Sequence, residues 1–245
     1  MLKILPRLEV VYAVSDLDGV WTDIAGAVTS FGNRVLGLQL ERGDYFRCKE
    51  NIPSLFGFNP DIPAHMQEAR NHWQRFCEEE MPHLPLLPGA EQSIQAFRIA
   101  EELLVASGIR LVKDIWTGRT HENHVITRHW KEVHLPIMRH VRHAKDWRLP
   151  NAHLISKASS LSRLPFPMWL YIEDELCHAS PVASAAPGSQ VVLFEDPEKE
   201  IKAESLPSNV LRIGSHARLA EFVVCKAEEE IRGIRRQPRH AKAAA

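Results

Sequence analysis

Asp16 and Asp18, in the string Asp16-Leu17-Asp18-Gly19-Val20, are two carboxylates one residue apart that can project from one loop into the same small volume. So placed, one can act as nucleophile and metal ligand while the other passes a proton to a departing oxygen. Gly19 beside them lets the chain turn without a side chain crowding a bound phosphate. Acids and glycine also fill ordinary turns and calcium loops. The calcium-loop version is disfavoured because Leu17, Val20 and Trp21 interrupt the alternating oxygen ligands such loops use.

A carboxylate pair needs a rigid mount, and the residues before it supply one. Val10 to Val14 is β-branched and aromatic and stops at acids and glycine, which predicts a buried strand feeding a loop. Ile109 to Trp116 before Thr-Gly-Arg, Met168 to Ile172 before Glu-Asp-Glu, and Gln190 to Phe194 before Glu-Asp share that design; Asn209 to Ile213 is a fifth candidate. Between them, Glu91 to Ala106 and Glu122 to Val133 repeat apolar residues at spacings of three and four, as helices do. Strands alternating with helices predict an α/β fold, a Rossmann-like, mainly parallel sheet flanked by helices. Ligands of such sheets bind beyond the carboxyl ends of the strands, where the acidic and Thr-Gly-Arg turns fall.

The segment 24–87 breaks the rhythm, with glycines and aromatics to Phe58, a helix at Pro63 to Glu80 and a proline-rich return. It is expected to be a small, largely helical inserted cap, with residues 1–23 and 88–227 forming the catalytic core. Met66, Ala69, Trp73, Phe76 and Cys77 form one stripe of the cap helix. Cap aromatics Tyr45, Phe46, Phe56, Phe58 and Trp73 can stack a base or form the cap's own small core. Residues 228–245 turn basic and poor in apolar side chains, which predicts a flexible tail.

Thirty basic against thirty-one acidic residues leave a net charge of −1, so no whole-protein field favours nucleic acid or a membrane surface. The four cysteines form no CxxC, which suggests neither a zinc site nor a disulfide framework. Acids interrupt the apolar start where a signal peptide would be continuous, and no apolar run approaches the roughly 20 residues that span a bilayer. A soluble protein in a reducing, cytoplasmic setting is expected.

With its strand in place, the Asp16–Val20 segment resembles the first motif of the haloacid dehalogenase superfamily, an apolar strand followed by DxDGV or DxDGT. The resemblance implies that Asp16 attacks phosphorus and Asp18 is the acid/base. The family's second motif is a Thr or Ser ending the next core strand, matched by Thr117, with Gly118 and Arg119 as further phosphate-binding candidates; a hydroxyl turn before a helix is the other explanation. Its third is a lysine that offsets acids and phosphate, matched by Lys157, with Lys145, Arg139 and Arg142 as rivals. Its fourth is acidic and follows a strand, matched by Glu173 and Asp174, which otherwise are solvated acids at a helix start. Asp16, the Asp18 carbonyl and Asp174 are then the expected Mg²⁺ ligands, with Glu173 direct or through water. The family often has a further Asp shortly after the fourth motif; this chain has Cys-His-Ala-Ser-Pro there.

The implied activity is Mg²⁺-dependent hydrolysis of a phosphomonoester through an aspartyl-phosphate. A catalytically quiet binding protein and a phosphotransferase are the alternatives. Thr117, Gly118, Arg119, Thr127, Trp130, Met138 and Arg139 add a likeness to branches acting on nucleotides or nucleic-acid 3′ phosphates. A small phosphorylated substrate, a nucleotide or another small phosphoester, is expected; a nucleic-acid end is unsupported by net charge. Packing accounts for Trp130 at least as well as substrate contact does, and the histidines from His121 to His143 show no metal-site spacing.

Overall fold

The computed structural model describes residues 9–49, 51–145, 157–161, 164, 167–196, 199 and 205–236. The described strands are β1 (Glu9–Ser15), β2 (Ile109–Thr120), β3 (His140–Lys145), β4 (Met168–Glu173), β5 (Gln190–Phe194) and β6 (Val210–Ile213). They form one sheet in the order β3-β2-β1-β4-β5-β6, and every neighbouring pair is parallel. Strands β1 and β4 are nearly continuous in apolar residues because both their faces are covered. The order runs outward in opposite directions from β1 and β4, so the switch point of the sheet lies between their carboxyl ends, after Ser15 and Glu173.

The described helices are α1 (Ile24–Leu36), α2 (Arg42–Cys48), α3 (Ile52–Leu55), α4 (Pro63–Glu79), α5 (Ala90–Ala106), α6 (His124–His134), α7 (Lys157–Leu161), α8 (Leu176–Ala185) and α9 (His216–Arg236). The period of two divides the sheet's residues between two cores. Val11, Ala13 and Leu111 join the larger one with residues of α1, α4, α5, α6 and α9, while Tyr12, Val14, Val112 and Tyr171 pack with α8 on the other face. Among the described residues no helix is long and apolar enough to cross a membrane.

Several local expectations are corrected. The stretch before Phe58 holds α1, α2 and α3: Asp23 caps α1 by accepting from the Gly26 N–H at 3.0 Å, and Ile24, Val28 and Phe31 bury one stripe. Gly32 in that helix permits a close approach, since a Cβ there would stand 2.8 Å from Leu40 Cδ1. Phe31, Phe56 and Phe76 sit in the same cluster as the sheet residues, so the segment's aromatics are not an isolated core. Strand β2 continues through Thr-Gly-Arg to Thr120 with a register shift between Thr117 and Thr120, where a turn was expected. Strand β3 was not expected at all, because HVRHAK carries charge along an edge whose outer row needs no apolar cover. Helix α9 passes the expected tail boundary at residue 228 and runs to Arg236, since Ile231 follows buried Ala227 by one turn and still packs on the core. Residues 237–245 lie outside the described residues.

Candidate active site

The loop after β1 buries its apolar residues and holds Asp16, itself buried, and the half-buried Asp18 at the end of the strand. Leu17, Val20 and Trp21 are fully buried, and the Trp21 indole N–H donates to Ser15 Oγ at 2.7 Å. The Asp16 N–H extends the ladder to β4 by donating to the Ile172 carbonyl at 2.8 Å. Gly19 is required here: its φ is +75°, and a Cβ would lie 2.5 Å from Asp174 Oδ2. The first acidic loop is therefore packed directly against the second.

Four expected residues meet at this junction. Lys157, the first residue of α7, places Nζ 2.6 Å from Asp16 Oδ2 and 2.7 Å from Glu173 Oε2. Asp16, Glu173 and Asp174 offer ligand oxygens that all lie within 4.8 Å of one another. The Tyr171 hydroxyl donates to Glu173 Oε2 at 2.6 Å, while Glu173 Oε1 is buried without a hydrogen-bond partner. Burial, then the charge of Glu173, pushes the Asp16 carboxyl up to about 7 against the pull of Lys157. Burial also raises Asp174, although Lys199 opposes it. Burial works against the Lys157 ammonium, but Asp16 and Glu173 outweigh it and hold its pKa above the usual lysine value.

This donor set fits a hard divalent cation. Its atoms are carboxylate oxygens, they exceed the ammonium groups that touch them, and one buried oxygen lacks a partner. The carboxylate of Asp18 is outside the cluster, so Asp18 could join it only through the carbonyl named from the sequence.

Asp18 faces a different partner. Arg119 grips it with two bonds, Nε to Oδ2 at 2.8 Å and Nη2 to Oδ1 at 2.6 Å, and the Thr22 hydroxyl donates to Oδ1 at 2.8 Å. Burial tends to raise the Asp18 pKa, but Arg119 and Thr22 together hold it below the usual carboxylate range. The guanidinium expected on the phosphate is thus directed at Asp18, because the bulge in β2 turns Arg119 inward and Thr127 of α6 accepts its Nη1 at 3.3 Å. Thr117 is buried and accepts the Arg119 N–H at 3.2 Å; by the β1–β2 register, Ser15 opposite Ile115, it stands beside the Asp16–Asp18 loop. Gly118 is exposed, and a Cβ there would meet open space.

The rivals of Lys157 stand elsewhere. Arg142 pairs with Asp114 at 3.1 Å, and Arg139 is exposed. Lys145 ends the edge strand β3, and its side chain lies outside the described residues. Trp130 is fully buried and donates to the Leu84 carbonyl at 2.7 Å, and Met138 is buried in the same core. Thr127 serves Arg119, so both of the helix residues in the nucleotide-like stretch are occupied within the fold.

Sequence reasoning missed Tyr171, Lys49 and Lys199. Tyr171 was legible in principle, since it lies two residues before Glu173 on one strand and must share its face. Lys199 reaches Asp174 Oδ2 at 3.3 Å and Glu175 Oε1 at 2.7 Å, and Lys49 of the inserted segment also pairs with Glu175. No local signal connects those lysines to the acids; they meet only in the fold.

No protein-family model matches this sequence, and no curated protein matches it with significance. Solved structures do match. A protein provisionally designated a haloacid dehalogenase-like hydrolase from Bacteroides fragilis superposes with TM-score 0.54 at 14% identity, covering 86% of this chain and 100% of that one. The fold is that of the haloacid dehalogenase-like hydrolases. A protein provisionally designated a β-phosphoglucomutase from Bacteroides vulgatus gives 0.52 at 14% identity and 91% of each chain. A haloacid dehalogenase-like family hydrolase from Streptococcus pneumoniae gives 0.50 at 15%, covering 78% of this chain and 89% of that one. In the haloacid dehalogenase fold of this chain, the Asp16 and Glu173-Asp174 loops occupy the switch point of the sheet.

Proposed function

We propose that the protein is a Mg²⁺-dependent phosphatase that hydrolyses a small phosphomonoester, a nucleotide or a similar ester, through an aspartyl-phosphate on Asp16. The observation that carries this reading is the buried Asp16 carboxylate at the switch point, bonded to Lys157 and flanked by Glu173 and Asp174. Asp16, Glu173, Asp174 and the Asp18 carbonyl would hold the metal, which when bound offsets the charge on the phosphoryl oxygens. Lys157 adds a fixed cation beside the nucleophile, and Thr117, on the neighbouring strand β2 beside the Asp16–Asp18 loop, would donate its hydroxyl to a phosphoryl oxygen.

Asp16 attacks phosphorus, the ester oxygen leaves, and water then cleaves the acyl-phosphate. Asp18 gives its proton to the leaving oxygen and takes one back from that water. Arg119 and Thr22 aim the carboxylate for this exchange, and their bonds favour the ionised form that the water-activating half uses. Residues 24–87 would act as the cap over a core of residues 1–23 and 88–227, excluding water from the strand ends.

Phosphate release from a panel of phosphoesters, with Mg²⁺, with EDTA and with Asp16→Asn, tests the proposal. Metal-dependent release that disappears with the substitution is expected. Release that survives Asp16→Asn would sink the nucleophile assignment, and release to an added alcohol in place of water would make the enzyme a phosphotransferase.

A further inference from the structure

The Glu173 carboxylate is satisfied on one oxygen and not on the other. Oε2 accepts from the Lys157 ammonium at 2.7 Å and from the Tyr171 hydroxyl at 2.6 Å, whereas Oε1 is buried with no hydrogen-bond partner among the described residues. A buried carboxylate oxygen left bare costs more than an ordinary polar contact returns, so Oε1 calls for a cation or for a water held by one. Glu173 ends β4 fully buried, and one oxygen from each of Asp16, Glu173 and Asp174 falls within the same 4.8 Å cluster. The orphan oxygen therefore belongs to a carboxylate of the candidate cation site.

Tyr171 lies two residues before Glu173 on β4 and so shares its face of the sheet. Its fully buried ring belongs to the core cluster of Tyr12, Val14, Val112 and Trp116, where a phenylalanine ring would occupy the same space. The hydroxyl adds a single donor to that packing, and the donor goes to Glu173 Oε2. Burial, then the charge of Glu173, raises the Tyr171 pKa above the usual tyrosine range, so the oxygen keeps its proton and stays a donor. Lys157 does not suffice to fix Glu173, because its ammonium is shared with Asp16 Oδ2 at 2.6 Å and comes from the start of a separate helix. Tyr171 holds Oε2 from the same strand as Glu173 itself.

We propose that Tyr171 is a positioning residue for the cation site: its hydroxyl and Lys157 together hold Glu173 Oε2, which leaves Oε1 to the cation or to a water bound to it. The inference rests on the proposed Mg²⁺ site and on none of the phosphate chemistry, since a cation can bind whether or not a phosphoester is hydrolysed. Hydrogen bonds behind a metal-binding group fix its orientation, and removing one such bond typically lowers metal affinity about 10- to 100-fold.

Calorimetric titration of Mg²⁺ into substrate-free protein, wild type against Tyr171→Phe, is the test. The variant should bind Mg²⁺ about 10-fold more weakly. For any phosphoester the wild type turns over, kcat of the variant should fall at low Mg²⁺ and return at saturating Mg²⁺, with KM for the ester changed less than about twofold. A hydroxyl that serves packing alone would lower stability in EDTA and leave the Mg²⁺ affinity of the folded variant equal to wild type, and that result would overturn the inference. The chain has three tyrosines, Tyr12, Tyr45 and Tyr171, so labelling the tyrosine Cζ with carbon-13 gives three resonances to follow in the wild type. The Tyr171 signal, assigned by replacing the other two with phenylalanine, should shift on addition of Mg²⁺, because the cation draws charge from the carboxylate that the hydroxyl meets. A signal unmoved at saturating Mg²⁺ overturns the inference even if Tyr171→Phe fails to fold, and wild-type protein that binds no Mg²⁺ ends it as well. Mg²⁺ binding that weakens in Tyr171→Phe while no phosphoester is hydrolysed sustains the role of Tyr171 and sinks the phosphatase reading alone.

Discussion

His216 lets a pH effect be computed from the structure and measured without knowing the substrate. It begins α9 beside the loop that follows β1, 2% exposed, with its ring centroid 5.5 Å from Trp21 and 4.7 Å from Phe194. Ser93 Oγ stands 2.9 Å from Nδ1 and also donates to the His216 carbonyl. Burial pushes the imidazole down to about 4, while the Val20 backbone and the charge of Glu91 oppose the shift weakly. An unfolded histidine titrates near about 6.5. On acidification the unfolded chain takes up this proton first, so the contribution of His216 is fully present above about pH 6.5 and falls until about pH 4. Linkage with these two values gives a loss of about 2 kcal/mol at pH 5 and about 3 kcal/mol at pH 4.

A single stability curve would not reveal it, because Asp16 has the opposite sign. Its carboxyl is raised to about 7, so the folded protein binds that proton first and gains stability over the same descent. The difference between wild type and His216→Phe cancels Asp16 and every other shared group. Phenylalanine keeps a ring between Trp21 and Phe194 and leaves Ser93 its bond to the backbone carbonyl. Urea unfolding of both proteins with EDTA should show the wild type losing about 2 kcal/mol more than the variant between about pH 7.5 and about pH 5. A difference that stays constant across that interval would refute a buried, neutral His216.

Lys157→Met leaves Asp16 and Glu173 buried without their ammonium, which should cost about 3 kcal/mol in urea at neutral pH and less at about pH 5, where the Asp16 carboxyl, raised to about 7, takes up a proton. Mg²⁺ should raise the melting temperature of the wild type relative to EDTA, and Asp174→Asn should blunt that rise; an equal rise in both would remove Asp174 from the cation site. Trp130→Phe strands the Leu84 carbonyl and should cost about 1–3 kcal/mol, read as a shift of the urea midpoint with unchanged slope.

The central strands were legible because burial on both faces writes itself as continuous runs such as MWLYI, and the helix α5 because its apolar stripe repeats at three and four. The elements that escaped carry weaker marks. In α1, Gly26 and Gly32 argue against a helix locally, yet the Asp23 cap and the buried Ile24, Val28 and Phe31 outweigh their propensity cost. In β3, Val141 stands among His, Arg and Lys, and its pairing with β2 comes from backbone bonds that composition does not encode.

The candidate site divides along the same line. Asp16, Glu173 and Asp174 stand at or just beyond the ends of the adjacent strands β1 and β4, and a parallel sheet brings those ends to one edge, so their meeting follows from topology, whereas Lys157 joins them from the start of α7. The partner of Asp18 does not follow from topology. Thr-Gly-Arg as a turn would leave Arg119 at the mouth to meet an anion; as a bulged strand it swings the guanidinium inward, where Asp18 and Thr127 satisfy it. The one-residue shift in strand register thus goes with a guanidinium bonded to Asp18 and Thr127.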